Sequence, residues 1–185
     1  MSETFIGLMS GTSRDAIDAA ALDFSDSRII LTATHSMPLT DELRALIAAV
    51  CDGTGDSLES VMTLSVDLSR AFAECANQLI AKIGHQPRAI GCHGQTVRHR
   101  PEKQFTVQLG NGAIIAQLTQ SPTVTDFRST DIALGGQGAP LVPAFHRAVF
   151  ASENENRAVV NIRSEEHTSE LQSPCNLVCR LLLEK

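Results

Sequence analysis

The sequence contains no tryptophan and no tyrosine, so its seven phenylalanines are its only aromatic residues. No run of 18 apolar residues occurs, and no basic segment precedes an apolar one at the N-terminus. From these absences we expect the chain to have no membrane span and no signal peptide. A basic block is also lacking, and the formal net charge is −6, which disfavours nucleic acid as a partner.

Cysteine is present in an odd number, and the first three are far apart, which predicts reduced thiols in a cytoplasmic protein. The five are Cys51, Cys75, Cys92, Cys175 and Cys179. The chain has 185 residues, enough for one domain or slightly more, and 43% of them are hydrophobic, which supports a packed core.

The first informative stretch is a strand, a turn and a second strand. Phe5–Met9 and Ile17–Phe24 are apolar runs that predict strands, and the small polar residues 10–13 lie between them. Backbone N–H groups and hydroxyls in such a turn can bind phosphate oxygens, and Asp18 can hold Mg²⁺ or a water. The alternative is an ordinary hairpin with Ser and Thr at its bend, because the turn has neither the GxxxxGK[ST] spacing nor a lysine.

The next segments predict a strand and two helices, and we assign them no functional residues. Residues 28–36 predict a third strand, and Thr40 is a suitable N-cap for a helix through Val50. Residues 56–83 have apolar positions at helical spacing, with Asp56 and Glu59 resembling a capping box and Gly84 as the stop.

A second polar cluster follows a short apolar run. Residues 88–92 predict a buried strand that leads into His93, Gly94, Gln95 and Thr96. A strand that ends in such side chains can present them to a ligand, and the alternative is a polar turn with a hydrogen-bonded histidine. His99 and Arg100 are interpreted as surface charge.

The remaining segments alternate between strands and helices. Strands are predicted at residues 105–109, 122–127 and 157–162, helices at 113–119 and 141–150, and a glycine-rich loop around Gln137.

Three motifs carry a resemblance to a known family. GLMSGTSRDAIDAA, IGCHGQTVRHRP and DFRSTDIALGGQGAPLVPAFH resemble the anhydro-N-acetylmuramic acid kinases, and the resemblance covers residues 1 to about 162. It implies an α/β fold with a mixed sheet and flanking helices. This is the N-terminal lobe of the sugar kinase, Hsp70 and actin (ribonuclease H-like) fold.

The resemblance also implies site residues, with ATP and Mg²⁺ as cofactors and a small sugar as substrate. His93, Gln95, Thr96 and Arg128 would bind the sugar, where the Arg128 guanidinium suits the carboxylate of an acidic sugar ether. Asp18 would bind the metal. The ATP-binding segment would be Gly11, Thr12, Ser13, Arg14, Asp15, Ala16, Ile17 and Asp18.

The chain departs from the family pattern at several positions. Arg14 replaces the usual Leu or Met, Ala16 replaces Gly, and Asn111 replaces a common Asp. Ser129 and Thr130 replace a frequent Arg-Arg pair. The Ala16 methyl matters if the backbone there needs a positive φ, which disfavours a Cβ.

In full-length family members, water opens the 1,6-anhydro bridge and the released O6 takes the γ-phosphoryl group of ATP, in cell-wall recycling. The general base is an Asp in a DTGPGN motif, which this sequence does not contain. We therefore assign no catalytic residue and expect this chain to be inactive alone. The alternatives are a non-catalytic nucleotide- or sugar-binding module and another sugar kinase of the same superfamily. The family also allows a homodimer.

After Ile162 the sequence leaves the family pattern, which continues with Gly-Gly-Ile-Ala-Asn. Back-translation of residues 163–173 and 176–185 gives codons that resemble the two ends of a common sequencing-library adapter. We expect residues 163–185 to be a non-native tail that does not pack on the kinase lobe of residues 1–162. The alternative is a genuine short C-terminal helix.

Overall fold

The computed structural model describes residues 3–25, 29–152, 154–155, 159–160 and 178–179. The chain divides into two compact units, residues 1–139 and residues 140–185. Within the described residues, no helix has the length and apolar character needed to cross a membrane.

The first unit is built on a mixed sheet with the strand order β3-β2-β1-β4-β5. A sixth strand, β6, pairs with the edge of β4 that does not face β1. The β1–β2, β2–β3 and β4–β5 pairs are antiparallel, and β4 is parallel to β1 and β6. The first three predicted strands are thus confirmed, and they form an antiparallel meander. The strands are β1 Thr4–Ser10, β2 Ala16–Asp23, β3 Ile30–Pro38, β4 Ala89–Arg100, β5 Phe105–Leu109 and β6 Thr123–Val124.

One face of the sheet forms the core because its apolar side chains alternate along the strands. Ile6 and Leu8 of β1 and Ile17 of β2 are buried there together with Leu68 and Phe72 of the longest helix. The helices of this unit are α1 Asp41–Asp52, α2 Leu58–Ile83, α3 Gly112–Thr119 and α4 Ser129–Ala133, with a 3₁₀ turn at Pro101–Lys103.

Helix ends follow local side-chain chemistry. Thr40 caps α1 by accepting a hydrogen bond from the Leu43 N–H, and Gly84 ends α2 with a φ of 77°. The predicted Asp56–Glu59 capping box is wrong, because Ser57 is the N-cap of α2 and accepts from the Ser60 N–H. Asn111 caps α3 by accepting from the Ala113 N–H, a role that an Asp performs equally well.

Two predictions about the second half of this unit needed correction. The strand predicted to end at Cys92 continues through His93, Gln95 and Thr96 to Arg100. The strand predicted at residues 122–127 has only two paired residues. Neighbouring strand pairings, which sequence periodicity does not show, decide the bounds of both strands. Sequence analysis made no prediction for the short helix α4.

The second unit contains the predicted helix at its start. This helix, α5, spans Pro143–Phe150 and has proline in its first turn. Two short strands, β7 Val159–Val160 and β8 Val178–Cys179, pair antiparallel. The other residues of the expected tail lie outside the described residues, so the boundary at Ile162 stays a prediction.

Candidate functional site

The first part of the candidate site is the turn that connects β1 to β2. The Arg14 N–H donates to the Gly11 carbonyl oxygen at 3.2 Å, and this bond closes the turn. Thr12 and Ser13 are exposed at its tip. The turn therefore presents two hydroxyls and adjacent backbone to solvent, an arrangement that suits an anionic ligand.

The backbone strain in this turn lies at Arg14 and not at Ala16. Arg14 has a φ of 60°, in the left-handed region that side chains other than glycine rarely adopt. Ala16 already belongs to β2, where it pairs with Pro38, and it has no positive φ. The alanine methyl therefore carries no conformational penalty.

The Arg14 side chain lies beside Cys51 of α1. Burial raises the pKa of the Cys51 thiol, and the nearby Arg14 guanidinium lowers that pKa in part. Ile17 is fully buried in the core. The side chains of Arg14 and Ile17, both in the predicted ATP-binding segment, therefore contact other parts of the protein.

The two acidic residues of this segment are both exposed. Asp15 lies in the bend before β2, and its carbonyl oxygen accepts from the Leu39 N–H at 3.0 Å. Asp18 lies in β2 between buried Ile17 and Ala19, so it projects from the opposite face of the sheet. The described residues contain no cluster of three or more His, Cys, Asp or Glu side chains. A single carboxylate still fits Mg²⁺, which commonly keeps several waters beside one or two carboxylates and substrate phosphates.

A buried hydrogen bond joins this turn to β4. Ser10 Oγ donates to Gln95 Oε1 at 2.7 Å, and the Gln95 amide nitrogen donates to the Thr96 carbonyl oxygen at 3.1 Å. Both residues are at most 2% exposed. The amide of Gln95 is therefore satisfied internally, and this geometry favours a supporting role over direct contact with a ligand.

A bulge in β4 lies next to that bond. Leu8 pairs with Cys92 and Ser10 pairs with Gln95, so His93 and Gly94 lie opposite the single residue Met9. Gly94 has a φ of 76°, and a Cβ there would lie 2.5 Å from the Leu109 carbonyl oxygen. Only glycine fits, and the bulge places the side chain of His93 on the face opposite the core.

His93 forms a hydrogen-bonded pair with Arg128, the most specific side-chain contact of the site. Arg128 Nε donates to His93 Nε2 at 3.0 Å, and His93 Nδ1 lies 2.9 Å from the Gly94 carbonyl oxygen. Because the guanidinium can only donate, Nε2 accepts and the neutral ring carries its proton on Nδ1. Burial lowers the pKa of His93, the Gly94 carbonyl opposes this, and the Arg128 charge lowers the pKa further.

The glycine-rich loop after α4 adds a further contact to Arg128. Arg128 Nη1 donates to the Gly138 carbonyl oxygen at 2.6 Å, and the Gly138 N–H donates to Asp131 Oδ2 at 2.7 Å. The structure thus brings together His93 and Arg128, two of the residues that the resemblance assigned to the sugar, and adds Gly138 and Asp131 to their contacts.

Thr96 belongs to a row of polar side chains on the β4–β5 hairpin. Gln108 Nε2 donates to Thr96 Oγ1 at 3.3 Å and to Thr106 Oγ1 at 2.7 Å, and His99 Nδ1 lies 3.1 Å from Thr106 Oγ1. His99 is therefore part of a hydrogen-bonded row, whereas sequence analysis assigned it to surface charge.

Sequence reasoning missed Gln108 and Asp131, and it placed Ser10 in the polar turn, whereas Ser10 is the buried last residue of β1. Ser10 and Gln108 depend on strand pairing, so no local pattern identifies them. Asp131 had a usable signal, because an acidic residue just before a run of glycines can accept several backbone N–H bonds.

An antiparallel meander, a parallel fourth strand and a polar turn after β1 define the class of this unit. It is the first lobe of the sugar kinase, Hsp70 and actin fold, as the resemblance implied. The family model described as anhydro-N-acetylmuramic acid kinase matches residues 3–173. The chain belongs to the anhydro-N-acetylmuramic acid kinase family.

Individual relatives agree with the family match. The anhydro-N-acetylmuramic acid kinase of Shewanella loihica is 47% identical over 163 residues, which cover 85% of this chain and 44% of the relative. Those of Nitrosomonas europaea and Pseudomonas fluorescens are 45% and 46% identical, and the alignments cover 45% and 44% of these relatives. The chain therefore spans a little under half the length of the curated relatives it matches.

Proposed function

We propose that this chain is the N-terminal part of an ATP-dependent kinase that acts on 1,6-anhydro-N-acetylmuramic acid. In this reaction water adds at the anomeric carbon, the bond from that carbon to O6 breaks, and O6 takes the γ-phosphoryl group. The observation that carries the proposal is that two paired strands hold the two parts of the site in a chain of this family. β1 leads into the β1–β2 turn, β4 carries His93 with its partner Arg128, and the Ser10–Gln95 hydrogen bond joins the two strands.

The β1–β2 turn is proposed as the phosphate side of the site. Backbone N–H groups of Gly11–Ser13, with the hydroxyls of Thr12 and Ser13, would stabilise phosphate oxygens. Asp18 would hold Mg²⁺ directly or through its waters. When bound, ATP supplies the phosphoryl group and Mg²⁺ offsets the charge that develops during transfer.

The His93–Arg128 pair is proposed as the sugar side. The Arg128 guanidinium would bind the lactyl carboxylate, because planar donors match carboxylate oxygens. His93 would orient Arg128, since its Nε2 accepts from Arg128 Nε. Thr96 offers a hydroxyl for a sugar oxygen, and Gln95 would support the strand below through Ser10.

The residues of this chain supply binding and positioning groups and lack the general base of the family. The DTGPGN motif is absent from the sequence, so we propose that the chain alone does not turn over substrate. The use of ATP favours a cytoplasmic location, and the family resemblance allows a homodimer of the full-length enzyme.

Ligand titration of the isotope-labelled chain by NMR tests the proposal. We expect millimolar 1,6-anhydro-N-acetylmuramic acid to shift the signals of His93 and Arg128, and ATP with Mg²⁺ to shift those of Gly11–Ser13. Arg128→Gln should abolish the sugar effect, whereas the control Arg100→Gln, at an exposed arginine of β4, should leave it unchanged. Sugar-dependent shifts that survive Arg128→Gln, or no shift at either pair, would contradict the proposed site.

A further inference from the structure

The loop that follows α4 is held by a single residue at two points. Asp131 Oδ2 accepts the Gly138 N–H at 2.7 Å, and the Asp131 carbonyl oxygen accepts the Gly136 N–H at 2.8 Å. The carboxylate lies so close to Gly136 that a Cβ on that residue would collide with it. Asp131 therefore fixes the path of the loop from Gly136 to Gly138.

The fixed loop in turn holds the two proposed sugar-binding side chains. The Gly138 carbonyl oxygen accepts from Arg128 Nη1 at 2.6 Å, and Arg128 Nε donates to His93 Nε2 at 3.0 Å. Gly138 has a φ of 69°, and a Cβ there would lie 3.0 Å from the Ile132 side chain. A continuous series of hydrogen bonds thus runs from Asp131 through Gly138 and Arg128 to His93.

We propose that Asp131 is a positioning residue that sets the orientation of Arg128 and His93 through the Gly138 carbonyl. The proposal rests on the function proposed above for the Arg128–His93 pair, and Asp131 acts on that pair through the loop. Without the carboxylate, the Gly138 N–H loses its acceptor and the carbonyl leaves its place. Arg128 Nη1 then loses its fixed acceptor. The guanidinium is therefore no longer held in the orientation that lets Nε donate to His93.

The titration of His93 reports this coupling in the chain as it exists, without any ligand. The Arg128 charge lowers the pKa of His93, so releasing Arg128 should raise that pKa toward its ordinary range. We would follow His93 by NMR against pH in the chain and in Asp131→Ala, Asp131→Asn and Thr130→Ala. The alanine variant should raise the pKa and the asparagine variant should raise it less, because its amide oxygen can still accept from Gly138. The exposed neighbour Thr130 should have no effect.

A second variant tests the same path without changing any charge. Gly138→Ala should displace the carbonyl, because of its positive φ and the contact with Ile132, and should raise the His93 pKa as Asp131→Ala does. A merely structural role predicts a different pattern. Asp131→Ala would then lower the free energy of unfolding and leave the His93 titration unchanged, and this result would overturn the inference.

Failure of the inference and failure of the proposed function remain distinguishable. If the Asp131 variants shift His93 but sugar never shifts His93 or Arg128 in the unmodified chain, the coupling stands and the sugar site is wrong. If sugar shifts both residues but the variants leave His93 unchanged, the site stands and Asp131 is not its positioning residue.

Discussion

At the scale of single residues, Gly94 determines how β4 passes the site. Its φ of 76° and its closeness to the Leu109 carbonyl oxygen create the bulge that separates His93 from Gln95. His93 consequently meets Arg128, while Gln95 turns inward to Ser10. One residue without a side chain thus sends two neighbouring polar groups to opposite faces of the sheet.

We expect Gly94→Ala to lower the free energy of unfolding by about 2–5 kcal/mol, because it combines a strained φ with a steric collision against backbone. Urea denaturation measures the change. Gly7→Ala is the matched control in β1, since a Cβ there would have nothing within 4 Å. That control should stay within about 1 kcal/mol of the parent chain, and equal losses for both variants would contradict this account of the bulge.

A second residue-scale prediction concerns Asp18 in a completed enzyme. By this we mean residues 1–162 of this chain followed by the part of the Shewanella loihica relative that lies beyond the matched region. Asp18→Asn should lower kcat by about 10²–10³ and change its Mg²⁺ dependence, because a carboxylate near phosphates is proposed to act through the cation.

The matched control for Asp18 is Arg14→Leu, which restores the common family residue. Since the Arg14 side chain lies beside Cys51, this variant should turn over at a similar or higher rate. Steady-state kinetics against Mg²⁺ concentration measure both variants. Normal kcat and normal Mg²⁺ dependence in Asp18→Asn would remove the metal role from Asp18.

At the scale of secondary structure, α2 is the helix that covers the core face of the sheet, and its start depends on Ser57. The Ser57 hydroxyl accepts from the Ser60 N–H at 3.2 Å, while the Asp56 carboxylate instead meets Arg98 at 3.4 Å. Sequence spacing suggested Asp56 as the cap because Glu59 follows at the correct interval. The long-range partner Arg98 on β4 is what sequence spacing cannot show.

We therefore expect Ser57→Ala to destabilise the chain by about 1 kcal/mol, the usual cost of losing an N-cap. Asp56→Ala should cost less, because a half-exposed ion pair contributes at most about 1 kcal/mol. Thermal or urea unfolding of both variants shows which substitution lowers the free energy of unfolding more. A larger loss for Asp56→Ala than for Ser57→Ala would restore the capping box that the sequence suggested.

Elements with strong local signals were predictable. Thr40 as an N-cap identified α1, periodic apolar positions and Gly84 identified α2, and two apolar runs identified β1 and β2. The site was predictable in part, because His93 and Arg128 lie in motifs. The partners Ser10 and Gln108 were not, because each acts through a neighbour that strand pairing brings to it. Asp131 had a local signal in the glycines that follow it, and sequence analysis did not use that signal.

At the scale of the whole molecule, the extent of the native lobe is a prediction that amide exchange can test. We expect residues 163–185, apart from the two β8 residues that pair with β7, to exchange without protection. They lack the family's Gly-Gly-Ile-Ala-Asn continuation and resemble translated adapter, although the family model matches as far as residue 173. Amides of α2 serve as the internal reference, since its residues Leu68, Phe72 and Leu79 are fully buried. Strong protection across residues 171–183 would show that this segment packs as part of the protein.

The central claim is that residues 1–162 form a working half of an anhydro-N-acetylmuramic acid kinase. The most direct measurement is ADP release by the completed enzyme with 1,6-anhydro-N-acetylmuramic acid, beside the 185-residue chain and the intact Shewanella loihica relative. We predict sugar-dependent turnover by the completed enzyme and background for the chain alone. A folded completed enzyme without turnover, while the intact relative is active, would contradict the claim.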